Sequence, residues 1–186
     1  MPAPERTTAA AIVDAGRAIV EAHGLDALTM QAVADRVGVR APSLYKRIAG
    51  RDALLAAVVA AVLDDLEAAI AAAASDATPR ERLAAIAAAT RAFAHRHPVG
   101  YGLVFAPAPA PAAQPDVGRL GDAAAPLLAA THELVGEAAA LDAARLLTAW
   151  LHGFLAMELG GAFRLDGDVD RAFAYGLRRI LDAIDA

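Results

Sequence analysis

Residues 28–52, LTMQAVADRVGVRAPSLYKRIAGRD, constrain this chain more than any other stretch. Thr29 has the hydroxyl to cap free backbone N–H groups at a helix start. Ala32, Val33 and Val37 follow at spacings that form an inward stripe. Gly38 supplies a tight turn, and Val39 fills the space between two helices. Pro42 fits the first turn of the next helix, where its missing N–H costs nothing. Leu44 and Ile48 lie one turn apart and face inward. Pro42, Ser43, Lys46 and Arg47 then point the other way, with Tyr45 on the flank. The pattern is a helix-turn-helix, whose second helix is built to enter the major groove of DNA.

Charge supports this reading by its distribution rather than its sum. The whole chain is acidic, with 17 Lys+Arg against 22 Asp+Glu. From Arg36 to Arg51, however, the charged residues are Arg36, Arg40, Lys46, Arg47 and Arg51, with no acid among them, and Lys46 is the chain's sole lysine. The remainder beyond residue 52 is acidic in balance. A basic patch at one end of an acidic body is a footprint for phosphate, and the acidic part repels DNA and orients the molecule.

Other bulk features bound the answer. With 186 residues the chain can bury a core as one domain, or as a small domain and a larger one. Without cysteine it has no disulfide, thiolate metal site or cysteine nucleophile. The opening MPAPERTTAA lacks the charged and apolar regions of a secretory signal. The apolar run from Ala53 to Leu63 stops at Asp64 and Asp65, too short to span a bilayer. The expectation is a soluble cytoplasmic protein with no membrane partner. Abundant alanine favours helix almost everywhere.

The spacing predicts a first helix from about Thr8 to His23, with Ile12, Ala15, Ile19 and Val20 inward and Gly24 ending it. A long fourth helix starts near Arg51 and carries Leu54, Leu55, Val58, Val62, Leu66 and Ile70. Ser75 to Pro79 breaks it, and Thr78 with Pro79 opens a fifth that reaches His97. Pro98 and Gly100 end that helix, and Tyr101 to Phe105 reads as a brief turn. The alternating Pro/Ala stretch 106–115 reads as an extended connector. Further helices are expected over about Val117–Val135, Leu141–Phe163 and Val169–Ile184. The fold class is therefore all-α, with about nine helices. Residues 1–50 are expected to form a three-helix helix-turn-helix domain, and residues 51–186 a second, larger helical domain.

From about Ile12 to Leu55 the chain resembles the TetR family of bacterial transcriptional regulators. The likeness rests on capped Thr29, Ala34, Gly38-Val39, Leu44-Tyr45, Ile48, Asp52 and Leu54-Leu55. A second likeness lies in Trp150-Leu151-His152-Gly153-Phe154 with Glu158-Leu159, similar to the Trp-His-Gly signature of one subgroup of TetR ligand domains. The resemblance implies an all-helical homodimer joined through its last two helices, with residues 1–50 as the DNA-binding domain and residues 51–186 as the effector-binding and dimerisation domain. It also implies roles for individual residues. Tyr45 meets a backbone phosphate, and Lys46 and Arg47 bond phosphates or base edges. Arg40, Ala41 and Ser43 contact bases or the sugar-phosphate chain. Gln31 reaches a base, Arg51 clamps a phosphate in place of a common lysine, and Thr29 caps first and contacts second. The chain departs from the family pattern at Arg40, Arg47 and Ile48, where a small polar residue, a histidine or tyrosine, and an aromatic are respectively common.

Each of these residues also has a plainer reading. Exposed arginines and lysines on a helix are usually only solvated, and Tyr45 fits a half-buried core edge. Trp150, Phe154 and Met157 share a face at helical spacing, which serves packing as well as a pocket. His152 fits an interface, a pocket or the core. His95 and His97 point to different sides of a helix. His132 and Glu133 are adjacent, so neither pair forms a ligand shell, and no metal or cofactor is expected. No Gly-rich phosphate loop, serine elbow or paired-carboxylate motif appears, so no catalytic residue is assigned.

One helix-turn-helix contacts few bases. A two-fold dimer with recognition helices about 34–36 Å apart reads a palindromic operator. An effector that prefers the wrong spacing must weaken DNA binding by the same free energy. The fourth helix is the natural lever, and the pocket is expected between helices four and eight. Phe93, Tyr101, Phe105, Trp150, His152, Phe154 and Met157 are its candidate lining, suited to a small, largely apolar effector because an isolated buried charge would go unpaired. The expectation is a repressor released from its operator by that effector. The alternative is a helical small-molecule-binding protein or metal sensor with weak or lost DNA binding.

Overall fold

The computed structural model describes residues 7–73, 77–105 and 117–185. Among these it has nine α-helices and no strand. The first, α1 (Ala9–His23), starts where Thr8 accepts a hydrogen bond from the Ala11 N–H and ends at Gly24. Ile12, Ala15, Ile19 and Val20 are buried as the spacing required. A 3-10 turn over Leu25–Ala27 leads to α2 (Met30–Val37) and α3 (Ala41–Leu44). Next come α4 (Arg51–Ala73), α5 (Pro79–Arg96), α6 (Pro98–Phe105), α7 (Val117–Val135), α8 (Glu137–Leu159) and α9 (Val169–Ile184). The Pro/Ala stretch 106–115 lies outside the described residues.

Two elements differ from expectation, each for a local reason. Tyr101–Phe105 belongs to a helix, α6, because Pro98 opens a helix as readily as it closes one. The Val99 and Gly100 N–H groups at its start each donate to the Glu21 carboxylate at 3.0 Å, satisfying donors that a helix N-terminus leaves free. The eighth helix begins earlier than Leu141, at Glu137, directly after Gly136. It stops at Leu159, where the Gly160 and Gly161 N–H groups turn back to Ala156 and Glu158.

Contacts gather the chain into two compact units, each built from two segments. One holds Met1–Asp65 with His97–Val117, the other Leu66–Arg96 with Gly118–Ala186. The first unit thus includes α6 and the start of α4. Its buried residues include Ile12, Leu28, Val33, Leu44, Leu54 and Val58. Gly16 lets α4 come close: a Cβ there would stand 3.1 Å from Val58 and 3.4 Å from Leu54.

The second unit packs Leu83 of α5, Ala130 of α7, Leu147 of α8, and Leu181 and Ile184 of α9 into one cluster. Thr78 and Glu81 form a reciprocal cap at the start of α5. Ion pairs Arg80–Asp182 and Arg82–Glu133 tie α5 to α9 and α7. Gly176 of α9 lies under the Trp150 ring, where an added Cβ would come within 2.5 Å of it. Gly176→Ala is expected to cost about 1–3 kcal/mol by overpacking. Trp150 is the sole tryptophan, so its emission should shift as the melting temperature falls. An unchanged melt and spectrum would contradict this packing.

Candidate nucleic-acid interface

The first unit presents a short, densely cationic surface on a well-anchored base. Thr29 caps α2, its hydroxyl accepting from the Ala32 N–H at 3.1 Å. Met30, Val33 and Ala34 are buried, while Ala32 and Val37 are half-buried, so the inward stripe sits slightly off the expected register. Gly38 adopts a left-handed conformation (φ 73°, ψ 33°), and its N–H returns to Ala34 and Asp35. A residue with a Cβ pays roughly 1–2 kcal/mol for that conformation, which is why glycine makes this turn.

Arg40 takes the N-cap position of α3 without a side-chain cap bond, and its side chain is exposed. Regular α-helix lasts only from Ala41 to Leu44, and the chain then turns through Tyr45, Lys46 and Arg47. The Arg47 and Ile48 N–H groups both reach the Leu44 carbonyl, at 2.8 and 2.9 Å. Leu44 is fully buried and Ile48 nearly so, and these two residues hold the segment down. Ser43, Tyr45, Lys46 and Arg47 are left exposed, Tyr45 by 55%. Burial of two residues one turn apart has turned the polar residues outward, and all the charge in this segment is positive.

The remaining predicted contact residues are more constrained. Gln31 donates to Asp35 at 2.7 Å across one helical turn. Arg51 is half-buried; its Nε donates to the Leu28 carbonyl at 2.8 Å and one Nη to the Leu25 carbonyl at 3.1 Å.

The predicted pocket residues fall into two groups. Tyr101 and Phe105 pair in the first unit with ring centres 4.9 Å apart. Tyr101 is buried, which pushes its phenol pKa well up, while Phe105 is largely exposed. In the second unit, the Trp150 and Phe154 rings lie tilted with centres 5.7 Å apart and both meet Phe173, at 5.5 and 5.3 Å. Phe163 adds a fourth ring 4.9 Å from Phe154. Phe93 is buried on α5. Met157 is exposed beside an open cleft of about 680 Å³ that Phe163, Leu165 and Tyr175 also line.

Burial pushes the His152 pKa down to about 4. The folded chain therefore keeps this imidazole neutral where an unfolded one takes a proton. Its contribution to stability is complete above about pH 6.5 and is lost as pH falls toward 4. A proton NMR titration is expected to place its midpoint well below that of an ordinary histidine; a midpoint near 6.5 would contradict its burial.

Sequence reasoning missed the polar centre of the second unit. Arg91 of α5 pairs with Glu158 of α8 and with Asp170 of α9, and its guanidinium lies 4.6 Å from the Phe173 ring centre. His95 adds a contact to Glu158 at 3.2 Å. Bonds to Arg91, then to His95, hold the Glu158 carboxyl below its ordinary pKa against the opposing effect of burial. No local spacing marks partners this far apart in sequence.

Both halves of the chain match known proteins. Residues 12–58 match the model of bacterial regulatory proteins, tetR family. Residues 83–180 match the model of the tetracyclin repressor-like C-terminal domain. Over 173 residues the chain is 30% identical to an HTH-type transcriptional regulator of Mycobacterium tuberculosis, Rv0681, covering 91% of this chain and 78% of that protein. The crystal structure of the regulatory protein SCO4313 superposes with a TM-score of 0.79 at 28% identity, over 93% of this chain and 94% of the other. That of a TetR variant of Acinetobacter baumannii AYE in complex with minocycline does so with a TM-score of 0.71 at 20% identity, over 96% and 97%. The model of residues 12–58 takes in α2 and α3, and the chain belongs to the TetR family of transcriptional regulators.

Proposed function

We propose that this regulator is a homodimeric repressor that leaves a palindromic operator when a small, largely apolar effector binds. The observation that carries the DNA side is the exposed, acid-free set Arg40, Ser43, Tyr45, Lys46 and Arg47, held on buried Leu44 and Ile48. Tyr45 and the cations bond phosphates, which supply position and most of the affinity; Arg47, Ser43, Ala41 and Gln31 reach bases, which supply specificity. Thr29 acts first as the cap of α2.

Dimerisation through α8 and α9 is supported by apolar residues exposed on them. Leu146 and Met157 share a face of α8 with Gly153, where an added Cβ would meet open space, and Tyr175 is exposed on α9. The four-ring aromatic set of the second unit suits an uncharged or weakly polar effector, and the minocycline complex of a structural neighbour is an instance of a small ligand in this fold. Helix α4, which contributes residues to both units, is the lever. A helical ligand carrier or metal sensor would have no use for the exposed cations Arg40, Lys46 and Arg47 that flank α3. Among the described residues no three His, Cys, Asp or Glu side chains gather as a metal ion would need, and none of the described helices is long and apolar enough to cross a membrane.

Sedimentation of the chain with a duplex recovered from a random pool tests the proposal. Two chains per duplex are expected, dissociated by those apolar molecules that raise the melting temperature of the free protein. A molecule that stabilises the protein yet leaves the complex intact would count against release; a single bound chain would count against the dimer.

A further inference from the structure

We propose that Arg51 is a positioning residue, and that it serves DNA recognition by locking the start of α2 to the start of α4 rather than by contributing charge to a phosphate. A cation in the first turn of a helix is unfavourable against the helix dipole, and Arg51 is the first residue of α4. Its guanidinium instead turns back to the connection between α1 and α2, where Nε and one Nη donate to the Leu28 and Leu25 carbonyls. Leu28 is fully buried and directly precedes the Thr29 cap. The Leu25 carbonyl also accepts the Leu28 N–H at 3.1 Å, so the fork finishes a turn whose oxygens are partly shielded from water.

The consequence is a closed loop of structure. The chain runs from the 3-10 turn through α2, the Gly38 turn, α3 and the Tyr45–Arg47 turn to α4, and Arg51 ties the end of that path to its beginning. Everything that faces DNA lies inside it. Lysine keeps the charge but lacks the planar fork that makes two directed bonds at once, so Arg51→Lys separates position from charge.

The inference rests on recognition through Arg40–Arg47, and the experiment has one arm that does not need DNA. In the DNA-free protein, Arg51→Lys and Arg51→Gln are both expected to speed amide hydrogen exchange across residues 28–44 by at least tenfold, with the second unit unchanged. On DNA, the probes are a duplex enriched by the parent and a scrambled duplex of the same composition. Both variants are expected to lose at least tenfold in the ratio of the two affinities. The salt dependence on the scrambled duplex should stay parental even in Arg51→Gln. A phosphate contact predicts instead that Arg51→Gln lowers the salt slope by about 0.9 per chain while Arg51→Lys binds as the parent does. That pattern, or parental exchange across residues 28–44, overturns the proposal. If the parent enriches no duplex, the exchange measurement decides alone, and the failure belongs to the operator reading.

Discussion

Replacing Tyr45 and Arg47 together by alanine is expected to lower affinity for the selected duplex by about 100-fold or more. Each side chain is exposed on a segment held by Leu44 and Ile48, so its removal takes away a contact without opening the core. A hydrogen bond to a charged group is worth roughly 1.5–3 kcal/mol, and two of them reach two to four decades. The salt slope should also shrink by about 0.9 for the lost arginine contact in each chain. The melting temperature of the free protein should hardly move, since exposed substitutions usually stay within about 0.5 kcal/mol. Fluorescence anisotropy at several salt concentrations, with a thermal melt as control, checks all three. An affinity within threefold of the parent would place the DNA surface elsewhere.

The largest effect on stability is expected from Arg91→Ala. Arg91 is the common partner of Glu158 and Asp170, and the Glu158 side chain is only 10% exposed. Removing the guanidinium strands a nearly buried carboxylate, a loss of about 3–5 kcal/mol for a fully buried pair. Partial exposure of Arg91 and Asp170 reduces this to about 2–4 kcal/mol, or about 5–15 °C in a chain of this size. The loss should depend on pH. The Glu158 pKa is lowered in the fold, first by its bonds to Arg91. Its contribution is therefore complete above the unfolded carboxylate range and disappears as pH falls through the folded value. Parent and variant melts should differ most near neutrality and converge in acid. A difference that holds constant down to low pH would contradict the assignment.

The helix-turn-helix was legible in the sequence because it is local. A cap at Thr29, a glycine at the turn, Pro42 at a helix start and two apolar residues one turn apart are all short-range signals, and each reappears in the structure. The cations were legible for the same reason, since burial of Leu44 and Ile48 decides which way Lys46 and Arg47 point. Helix α6 was not, because Pro98 reads equally well as a stop and a start, and the carboxylate that secures it comes from Glu21 on another helix. The Arg91 centre was hidden by distance along the chain. Arg51 was visible as a cation, but only the fold reveals that its donors turn inward to Leu25 and Leu28.

Residues 40–47 of a dimer are proposed to read a two-fold operator. Selection of duplexes from a random pool by the purified chain tests this most directly. The expected result is enrichment of an inverted repeat whose half-site centres lie about one helical turn, or a whole number of turns, apart, and its loss in the Tyr45→Ala/Arg47→Ala protein. A folded dimer that enriches no sequence, or a site without two-fold symmetry that survives the double substitution, would contradict it.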